Sequence, residues 1–297
     1  MAAKQSGFMK RKPLLGLALG GGGARGLAHI GVLQILESAG LKPDLLAGTS
    51  MGAVIAALYA AGYSPKRIEQ EAHHFTKTSS MLKLMVDDLS FDYLVSAESI
   101  QEYFQERLND IHQFTDLQMP VAFSAVDINS AQEVALDHGA LIPAINASMA
   151  LPGIAQPVEL NDMRLIDGGA LNNVPSDLVR SMGADVVVAV DVSPDVTDEA
   201  FWNEQRLPHI AAANWRSNAI MVATITAAKQ RAARTDIYLK PDIPARITTL
   251  SGFSHVQDIT DAGARAAKNA LPEIRALCQP RFSLRKKRIS NAKPAQL

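Results

Sequence analysis

The chain has 297 residues, of which 47% are apolar and 20% are charged, and its formal net charge at pH 7 is −1. This composition indicates a folded protein with a sizeable core, and the near-zero net charge gives no reason to expect a nucleic-acid partner. The single cysteine, Cys278, excludes an intrachain disulfide framework and favours a reducing compartment, so we expect a cytoplasmic protein. No stretch reaches about 18 apolar residues, so we expect no membrane-spanning helix.

The first predicted strand, Leu14 to Leu19, leads into a run of four glycines and then into a helix. A glycine loop between a strand and a helix exposes backbone N–H groups. Gly21, Gly23 and Gly26 also match the G-x-G-x-x-G pattern of dinucleotide-binding loops. A dinucleotide site needs an acidic residue at the end of the second strand, whereas Asp44 stands at the beginning of that strand. We therefore favour a catalytic role for this loop.

The second predicted strand, Asp44 to Ala47, runs into Gly48-Thr49-Ser50-Met51-Gly52. The small-residue run that follows, Ala53 to Ala61, predicts a helix. A Gly-x-Ser-x-Gly sequence between a strand and a helix is a nucleophile elbow, in which a tight turn exposes the serine hydroxyl at the carboxyl edge of the sheet. The start of the helix adds free N–H groups beside the attacking oxygen. Ser50 is therefore the candidate nucleophile.

The middle of the chain predicts further helices and strands. Residues 64–115 hold several helical pieces with few turn-forming residues, and they are candidates for a cap over the site. Strands are predicted over residues 121–126 and 133–136, and a helix over residues 140–147.

Asp167-Gly168-Gly169 forms a third motif, directly after the short apolar stretch Arg164 to Ile166. An aspartate followed by two glycines at the end of a strand is usually a turn or a helix cap. Because two catalytic-type glycine turns precede it in the chain, Asp167 is also a candidate catalytic residue.

The last third of the chain continues the alternation of helices and strands. A helix is predicted to end over residues 177–182, and the apolar run 185–191 is typical of a strand in a parallel sheet. A closing helix is predicted over residues 262–278. Strands that alternate with helices predict an α/β fold, a three-layer α/β/α sandwich with a mostly parallel central sheet.

A long helix predicted over residues 207–235 has two interpretations. It carries bulky apolar residues such as Trp215, Ile220 and Met221 together with several basic residues. Packing of this helix on the sheet is the favoured interpretation. A lid or an interfacial surface is the alternative, because such surfaces pair a bulky apolar face with basic side chains.

The three motifs, together with the stretch Ala147 to Gly153, resemble the signatures of patatin-like phospholipases over about residues 14–195. The resemblance implies a patatin-like variant of the α/β-hydrolase architecture with a Ser–Asp dyad and no catalytic histidine. In that family pattern Ser50 is the nucleophile, and Asp167 orients it and takes its proton. The backbone of the glycine loop binds the oxyanion, with the candidates Gly21, Gly22, Gly23, Arg25 and Gly26.

A Ser–His–Asp triad is the alternative to this dyad. In the chain order Ser, acid, His, only His209 and His255 follow Asp167. Neither lies in a segment that marks an active-site loop. His29 is closer to the glycine loop, but it lies one turn into a predicted helix, where packing or a structural hydrogen bond is expected. We therefore favour the dyad.

The function implied by the resemblance is a serine acyl hydrolase that cleaves esters of phospholipids, lysophospholipids or simpler acyl groups. No metal or other cofactor is expected, because no residues have the ligand spacing of a Zn or Ca site. A weakly catalytic regulator that senses acyl chains and a lipid transacylase are the alternatives.

Residues 14–280 are expected to form one catalytic domain, because motifs far apart in the chain must meet in space. Residues 1–13 are expected to be a flexible N-terminal segment, and residues 281–297 a basic C-terminal tail. Basic residues near an anionic lipid surface are attracted to it, so we expect weak peripheral contact with the inner face of the membrane. The sequence does not predict an oligomeric state.

Overall fold

The computed structural model describes residues 10–77, 97–204, 209–249 and 252–282. Its strands are β1 (Lys10–Arg11), β2 (Leu15–Leu19), β3 (Leu45–Gly48), β4 (Val121–Asp127), β5 (Gln132–Leu136), β6 (Val158–Leu160), β7 (Met163–Asp167), β8 (Val186–Val190), β9 (Ile237–Leu239) and β10 (Arg281–Phe282). Its helices are α1 (Ala28–Ser38), α2 (Met51–Ala60), α3 (Pro65–Lys77), α4 (Ala97–Leu108), α5 (Leu141–Met149), α6 (Gly169–Asn172), α7 (Ser176–Ser181), α8 (Glu199–Glu204), α9 (His209–Ala233) and α10 (Val256–Leu277).

The centre of the molecule is a sheet whose middle strands are parallel, in the order β4-β3-β2-β8-β9. β5 and β7 both pair antiparallel with β4, and β6 pairs antiparallel with β7. Every residue of β2, β3, β4 and β8 is buried, as expected for strands that are covered on both faces. The predicted α/β class is confirmed.

Helices cover both faces of this sheet. Along β2, Leu15, Leu17 and Leu19 belong to the larger core cluster, which also contains residues of α1, α2 and α10. Ala18 belongs instead to a smaller cluster with Val179 of α7. Side chains that alternate between two faces give the sheet a helical layer on each side, which is the three-layer sandwich expected from the sequence.

Some element boundaries differ from the sequence prediction. The closing helix α10 begins at Val256 and not at residue 262. Its first turns are held by packing against α1, where glycines bring the two backbones together. A Cβ on Gly263 would lie 1.8 Å from the Ala28 carbonyl oxygen, and a Cβ on Gly31 would lie 1.9 Å from that of Thr260. Local sequence does not reveal such contacts between distant segments.

The two ends of the described chain meet. Lys10 and Arg11 pair antiparallel with Phe282 and Arg281, so the predicted N-terminal and C-terminal segments touch at their inner ends. Residues 1–9 and 283–297, which make up most of those segments, lie outside the described residues, as do residues 78–96 of the predicted cap. Of the helices that the structure describes, none has the length and apolar character needed to cross a membrane.

Candidate active site

The site is built where two strands run towards each other along one edge of β4. Gly48, the last residue of β3, pairs with Phe123 of β4. Asp167, the last residue of β7, pairs with Ala125, two residues further along β4. β5 occupies the opposite edge of β4, so β3 and β7 share one edge and their carboxyl ends face each other. This arrangement brings the turn at Ser50 beside Asp167.

The turn between β3 and α2 has the strained geometry of a nucleophile elbow. Ser50 has φ 54° and ψ −124°, a left-handed conformation that is rare for a residue with a side chain. The flanking glycines are required by close approach of the backbone. A Cβ on Gly48 would lie 2.5 Å from the Ala53 nitrogen, and a Cβ on Gly52 would lie 2.0 Å from the Leu19 carbonyl oxygen. The Gly-x-Ser-x-Gly pattern therefore reflects steric necessity.

Ser50 and Asp167 line the same cavity, and hydrogen bonding by the Ser50 hydroxyl lowers the pKa of the Asp167 carboxyl. The backbone N–H of Gly169 donates a hydrogen bond to Asp167 Oδ1 at 2.7 Å. Asp167 is only 3% exposed. This burial raises the pKa of Asp167 to about 6, although the two hydrogen bonds act in the opposite direction. A carboxylate with a pKa near 6 is better matched to proton transfer at neutral pH than one near 4.

Further hydrogen bonds hold the turn at Ser50 in place. The Ser50 N–H donates to Ser148 Oγ at 3.0 Å, and the Ser148 hydroxyl donates to the Ser124 carbonyl at 2.8 Å. The Thr49 hydroxyl donates to the Asn172 carbonyl at 2.8 Å. Ser148 was not predicted to support Ser50. Two features of the sequence could have identified it. Ser148 is a polar residue inside a short apolar helix, and it belongs to the stretch that carried the family resemblance.

The glycine loop offers two free backbone donors to a ligand in the site. The N–H of Gly21 already donates to the Asn173 carbonyl at 2.9 Å, and that of Arg25 donates to the Gly22 carbonyl at 3.2 Å. Within the described residues, the N–H groups of Gly22 and Gly23 have no hydrogen-bond partner. Both glycines line the same cavity as Ser50. Among the five candidates for oxyanion binding, Gly22 and Gly23 therefore combine a free N–H group with a place in this cavity.

Arg25 and Gly26 have structural places beside the loop and are not among the described residues that line the cavity. The buried Arg25 side chain donates to the carbonyls of Val192 at 2.9 Å and Ile247 at 3.0 Å. Burial lowers the pKa of Arg25 to about 10, so it stays charged at neutral pH. A Cβ on Gly26 would lie 2.5 Å from Met51 Cγ, so this glycine makes room for the elbow helix. These positions anchor the loop.

No histidine is found among the described residues that line the cavity. His29 is buried, and its Nε2 lies 2.7 Å from the Gly20 carbonyl oxygen. Burial lowers the pKa of His29 to about 4, so the ring is neutral at pH 7 and Nε2 carries the proton that it donates. His255 pairs with Asp258 at 3.6 Å. The side chain of His209 lies outside the described residues.

The position of Asp44 does not fit a dinucleotide site at the glycine loop. Its Oδ2 accepts a hydrogen bond from the Leu15 N–H at 2.8 Å. Leu15 is the first residue of β2, so Asp44 lies at the amino edge of the sheet, opposite the glycine loop. In the part of the chain that the structure describes, no cluster of three or more His, Cys, Asp or Glu side chains is placed to hold a metal ion.

The cavity lined by the candidate catalytic residues Ser50 and Asp167 and by the glycine loop is called the catalytic cavity. Helix α9 closes one side of it with Trp215, Asn218, Ala219 and Val222. Nearer its end, Lys229 binds Glu133 and Asp177, and these two carboxylates also accept hydrogen bonds from the Asn172 side chain. The helix predicted over residues 207–235 therefore both packs on the domain and contributes to the wall of the site.

Known proteins are similar to this chain over the part that contains the site. A family model described as patatin-like phospholipase matches residues 17–180. Human patatin-like phospholipase domain-containing protein 6 is 40% identical over 193 residues, which cover 62% of this chain and 14% of that protein. An NTE family protein of Mycobacterium bovis is 34% identical over 202 residues, which cover 63% of this chain and 54% of that protein. The chain therefore matches only part of the length of each of these relatives.

The fold is also found in a solved structure. VipD from Legionella pneumophila superposes with a TM-score of 0.55 at 13% identity, over 91% of this chain and 72% of that one. At this level of identity the match concerns the fold alone. The family model spans more than half of the chain and includes Ser50, Asp167 and the glycine loop. The chain belongs to the patatin-like phospholipase family.

Proposed function

We propose that this protein is a serine acyl hydrolase that cleaves lipid or simpler acyl esters through an acyl-enzyme on Ser50. The observation that carries the proposal is one cavity that holds Ser50, the buried Asp167 carboxylate and the unpartnered N–H groups of Gly22 and Gly23. Membership of the patatin-like phospholipase family supports lipid ester hydrolysis. Phospholipids and lysophospholipids are the proposed natural substrates.

The first half of the reaction transfers the acyl group to the enzyme. Asp167 accepts the hydroxyl proton as Ser50 Oγ attacks the ester carbonyl carbon. The carbonyl oxygen becomes an oxyanion and receives hydrogen bonds from the N–H groups of Gly22 and Gly23. When the tetrahedral intermediate collapses, the bond to the alcohol oxygen breaks and Asp167 gives its proton to that oxygen. The alcohol leaves, and the acyl group remains on Ser50.

The second half uses water in place of the alcohol. Asp167, again a carboxylate, accepts a proton from water as the water oxygen attacks the acyl carbon. The same two N–H groups bind the second oxyanion. Collapse of this intermediate breaks the bond to Ser50 Oγ, which takes the proton back from Asp167, and the carboxylic acid leaves. Each oxyanion donor is worth about 3 kcal/mol in comparable sites, so the glycine loop supplies much of the stabilisation.

A fluorophosphonate probe tests this proposal directly, because it forms a covalent bond with an activated serine. Mass spectrometry of the digested protein is expected to find the adduct on Ser50, and the Asp167→Asn variant is expected to react far more slowly. A folded protein that forms no adduct on Ser50 would contradict the proposal and favour a non-catalytic acyl-sensing protein.

The glycine loop gives a second prediction. A Cβ on Gly22 would lie 2.8 Å from Val192 Cγ2 and 3.3 Å from the Val192 carbonyl oxygen, so Gly22→Ala crowds the contact between the loop and Val192 and is expected to displace the two donors. We expect kcat for a soluble ester to fall by about 10²-fold. The control is Lys268→Ala, at an exposed position of α10, which should leave the loop and kcat unchanged. A higher KM with unchanged kcat in Gly22→Ala would show that the loop binds substrate without stabilising the oxyanion.

We also propose that the C-terminal basic residues give weak contact with an anionic membrane. Truncation after Phe282 keeps the pairing of β10 with β1 and removes Arg285, Lys286, Lys287, Arg288 and Lys293. Each such residue near an anionic surface contributes about 1 kcal/mol, so the truncated protein should bind anionic vesicles more weakly in a sedimentation assay. The difference should shrink at high salt, and hydrolysis of a short soluble ester should stay unchanged. Equal vesicle binding at low salt would contradict this proposal.

A further inference from the structure

A second cavity lies along the helix that begins at the nucleophile, and we call it the α2 cavity. Its wall on one side is formed by Met51, Val54, Ile55 and Leu58 of α2. These residues have the spacing i, i+3, i+4 and i+7, which places them on a single face of the helix. At a rise of 1.5 Å per residue, this apolar stripe is about 10 Å long. It starts one residue after Ser50.

The opposite wall of the α2 cavity is apolar and aromatic. Ala72 and Phe75 come from α3, Tyr103 and Phe104 come from α4, and Phe253 completes this side. The Phe75 ring makes edge contacts with Tyr103 and Phe253, at centroid distances of 5.4 Å and 6.0 Å. Side chains of this kind bind hydrocarbon well and give a charged headgroup little to bind.

Glu71 is the one charged residue among the described residues that line the α2 cavity. Its carboxylate accepts a hydrogen bond from Arg107 Nε at 3.0 Å and is thereby paired. The Arg107 guanidinium also stacks on the Tyr103 ring, 3.7 Å from its centroid. The charged groups at the border of the cavity therefore satisfy one another, and the ligand that fits the interior is uncharged and apolar.

Two methionines that line the α2 cavity directly follow serines at the candidate active site. Met51 directly follows Ser50, and Met149 directly follows Ser148, whose hydroxyl oxygen accepts the Ser50 N–H at 3.0 Å. Both methionines are partly exposed. Methionine side chains are unbranched and adaptable, so they suit a boundary across which a flexible chain must pass.

The catalytic cavity has a different lining. Around Ser50 it contains Asn173, Ser193 and Asn218, whose side chains can bond to the oxygens of an alcohol or a headgroup. The chain at the nucleophile turn thus lines two cavities, an apolar one at Met51 and a partly polar one at Ser50.

We propose that the α2 cavity binds the acyl chain of the substrate, while the alcohol part of the ester lies in the catalytic cavity. This inference rests on the proposed ester hydrolysis. The acyl chain passes between Met51 and Met149 and lies along the apolar stripe of α2. Short acyl groups do not reach past the methionines, so the α2 cavity selects for chain length and contributes nothing to the hydrolysis of acetyl esters.

The test fills the α2 cavity from α3 with Ala72→Trp. The p-nitrophenyl esters of dodecanoic and acetic acid are compared, and kcat/KM for the dodecanoyl ester is expected to fall at least tenfold while that for the acetyl ester changes less than twofold. The control is Ala227→Trp, at an exposed position of α9, which should leave both values unchanged. Equal changes for the two esters in folded Ala72→Trp would overturn the inference. If that variant does not fold, Ala72→Leu makes the same comparison with a smaller side chain.

A binding experiment separates this inference from the proposed chemistry. In the Ser50→Ala background, binding of the fluorescent fatty acid cis-parinaric acid is measured, and Ala72→Trp is expected to weaken it at least tenfold. Parinaric acid affinity that does not respond to Ala72→Trp would overturn the inference. The two proposals can fail separately. If the unmutated protein has no esterase activity but Ala72→Trp still weakens parinaric acid binding, the acyl cavity is supported and the proposed hydrolysis is contradicted.

Discussion

Replacing Ser50 with alanine is expected to lower kcat/KM for ester hydrolysis by about 10⁴-fold or more, because the group that forms the acyl-enzyme is removed. The fold should survive the change, since alanine keeps the backbone N–H that bonds to Ser148. The measurement compares the steady-state kinetics of both proteins on a soluble ester. Their unfolding temperatures show whether the fold is intact. Near-normal activity in purified Ser50→Ala would contradict the proposed chemistry.

Two comparisons sharpen this result. The double variant Ser50→Ala, Asp167→Asn should be no less active than the more damaged single variant, because residues that act as a unit are not additive. His255→Ala should remain active, because His255 pairs with Asp258 and does not line the catalytic cavity. A folded but inactive His255→Ala would restore the Ser–His–Asp alternative.

Asp167→Asn is expected to abolish hydrolysis and at the same time to stabilise the fold above neutral pH. Burial raises the pKa of Asp167 from 3.8 to about 6. A raised pKa means that the native state loses stability as pH rises through about 4 to 6, because the unfolded chain ionises this carboxyl more easily. The loss is about 3 kcal/mol, since one pKa unit corresponds to about 1.4 kcal/mol. An asparagine side chain avoids this loss of stability, because it does not ionise. It can still accept a hydrogen bond from the Gly169 N–H and donate one to the Ser50 hydroxyl oxygen.

Urea unfolding of both proteins at pH 4.5 and pH 8 makes this measurement. The free energy of unfolding of Asp167→Asn, relative to that of the unmutated protein, should rise mainly between these two pH values. His29 also titrates differently in the folded and unfolded chains, with its folded pKa lowered to about 4. It is present in both proteins, so its contribution cancels in the difference. A stability difference that does not change with pH would show that burial of Asp167 does not carry the expected cost.

Local sequence was sufficient to predict the nucleophile turn, because its requirements are local. Strand and helix touch within five residues, and the glycines at positions 48 and 52 are needed to avoid overlap with Ala53 and Leu19. Buried apolar strands likewise reveal themselves by composition, as β8 does with its run of valines. These parts of the prediction depended on neighbours in the chain.

Other parts of the site depend on segments that are distant in sequence. Gly21 was expected to bind the oxyanion, but its N–H is taken by the carbonyl of Asn173. The free donors of Gly22 and Gly23 can be recognised only once this partner is placed. In the same way, Trp215 reaches the catalytic cavity from a helix whose sequence was compatible with simple packing. The stretch predicted before Asp167 is found as β7, whereas β6 and β9 were not predicted, because each has only three residues.

The meeting of β3 and β7 on one edge of β4 constrains how the length of the chain can vary. Side chains of a strand alternate between the two faces of a sheet, so inserting one residue within β7 would turn Asp167 away from Ser50. The same insertion in a surface connection, such as the turn at Asn161 and Asp162, leaves this alignment intact. Natural insertions and deletions in related chains are therefore expected to spare residues 163–167 and 121–127 and to accumulate in the turns between them, although neither stretch contains the nucleophile.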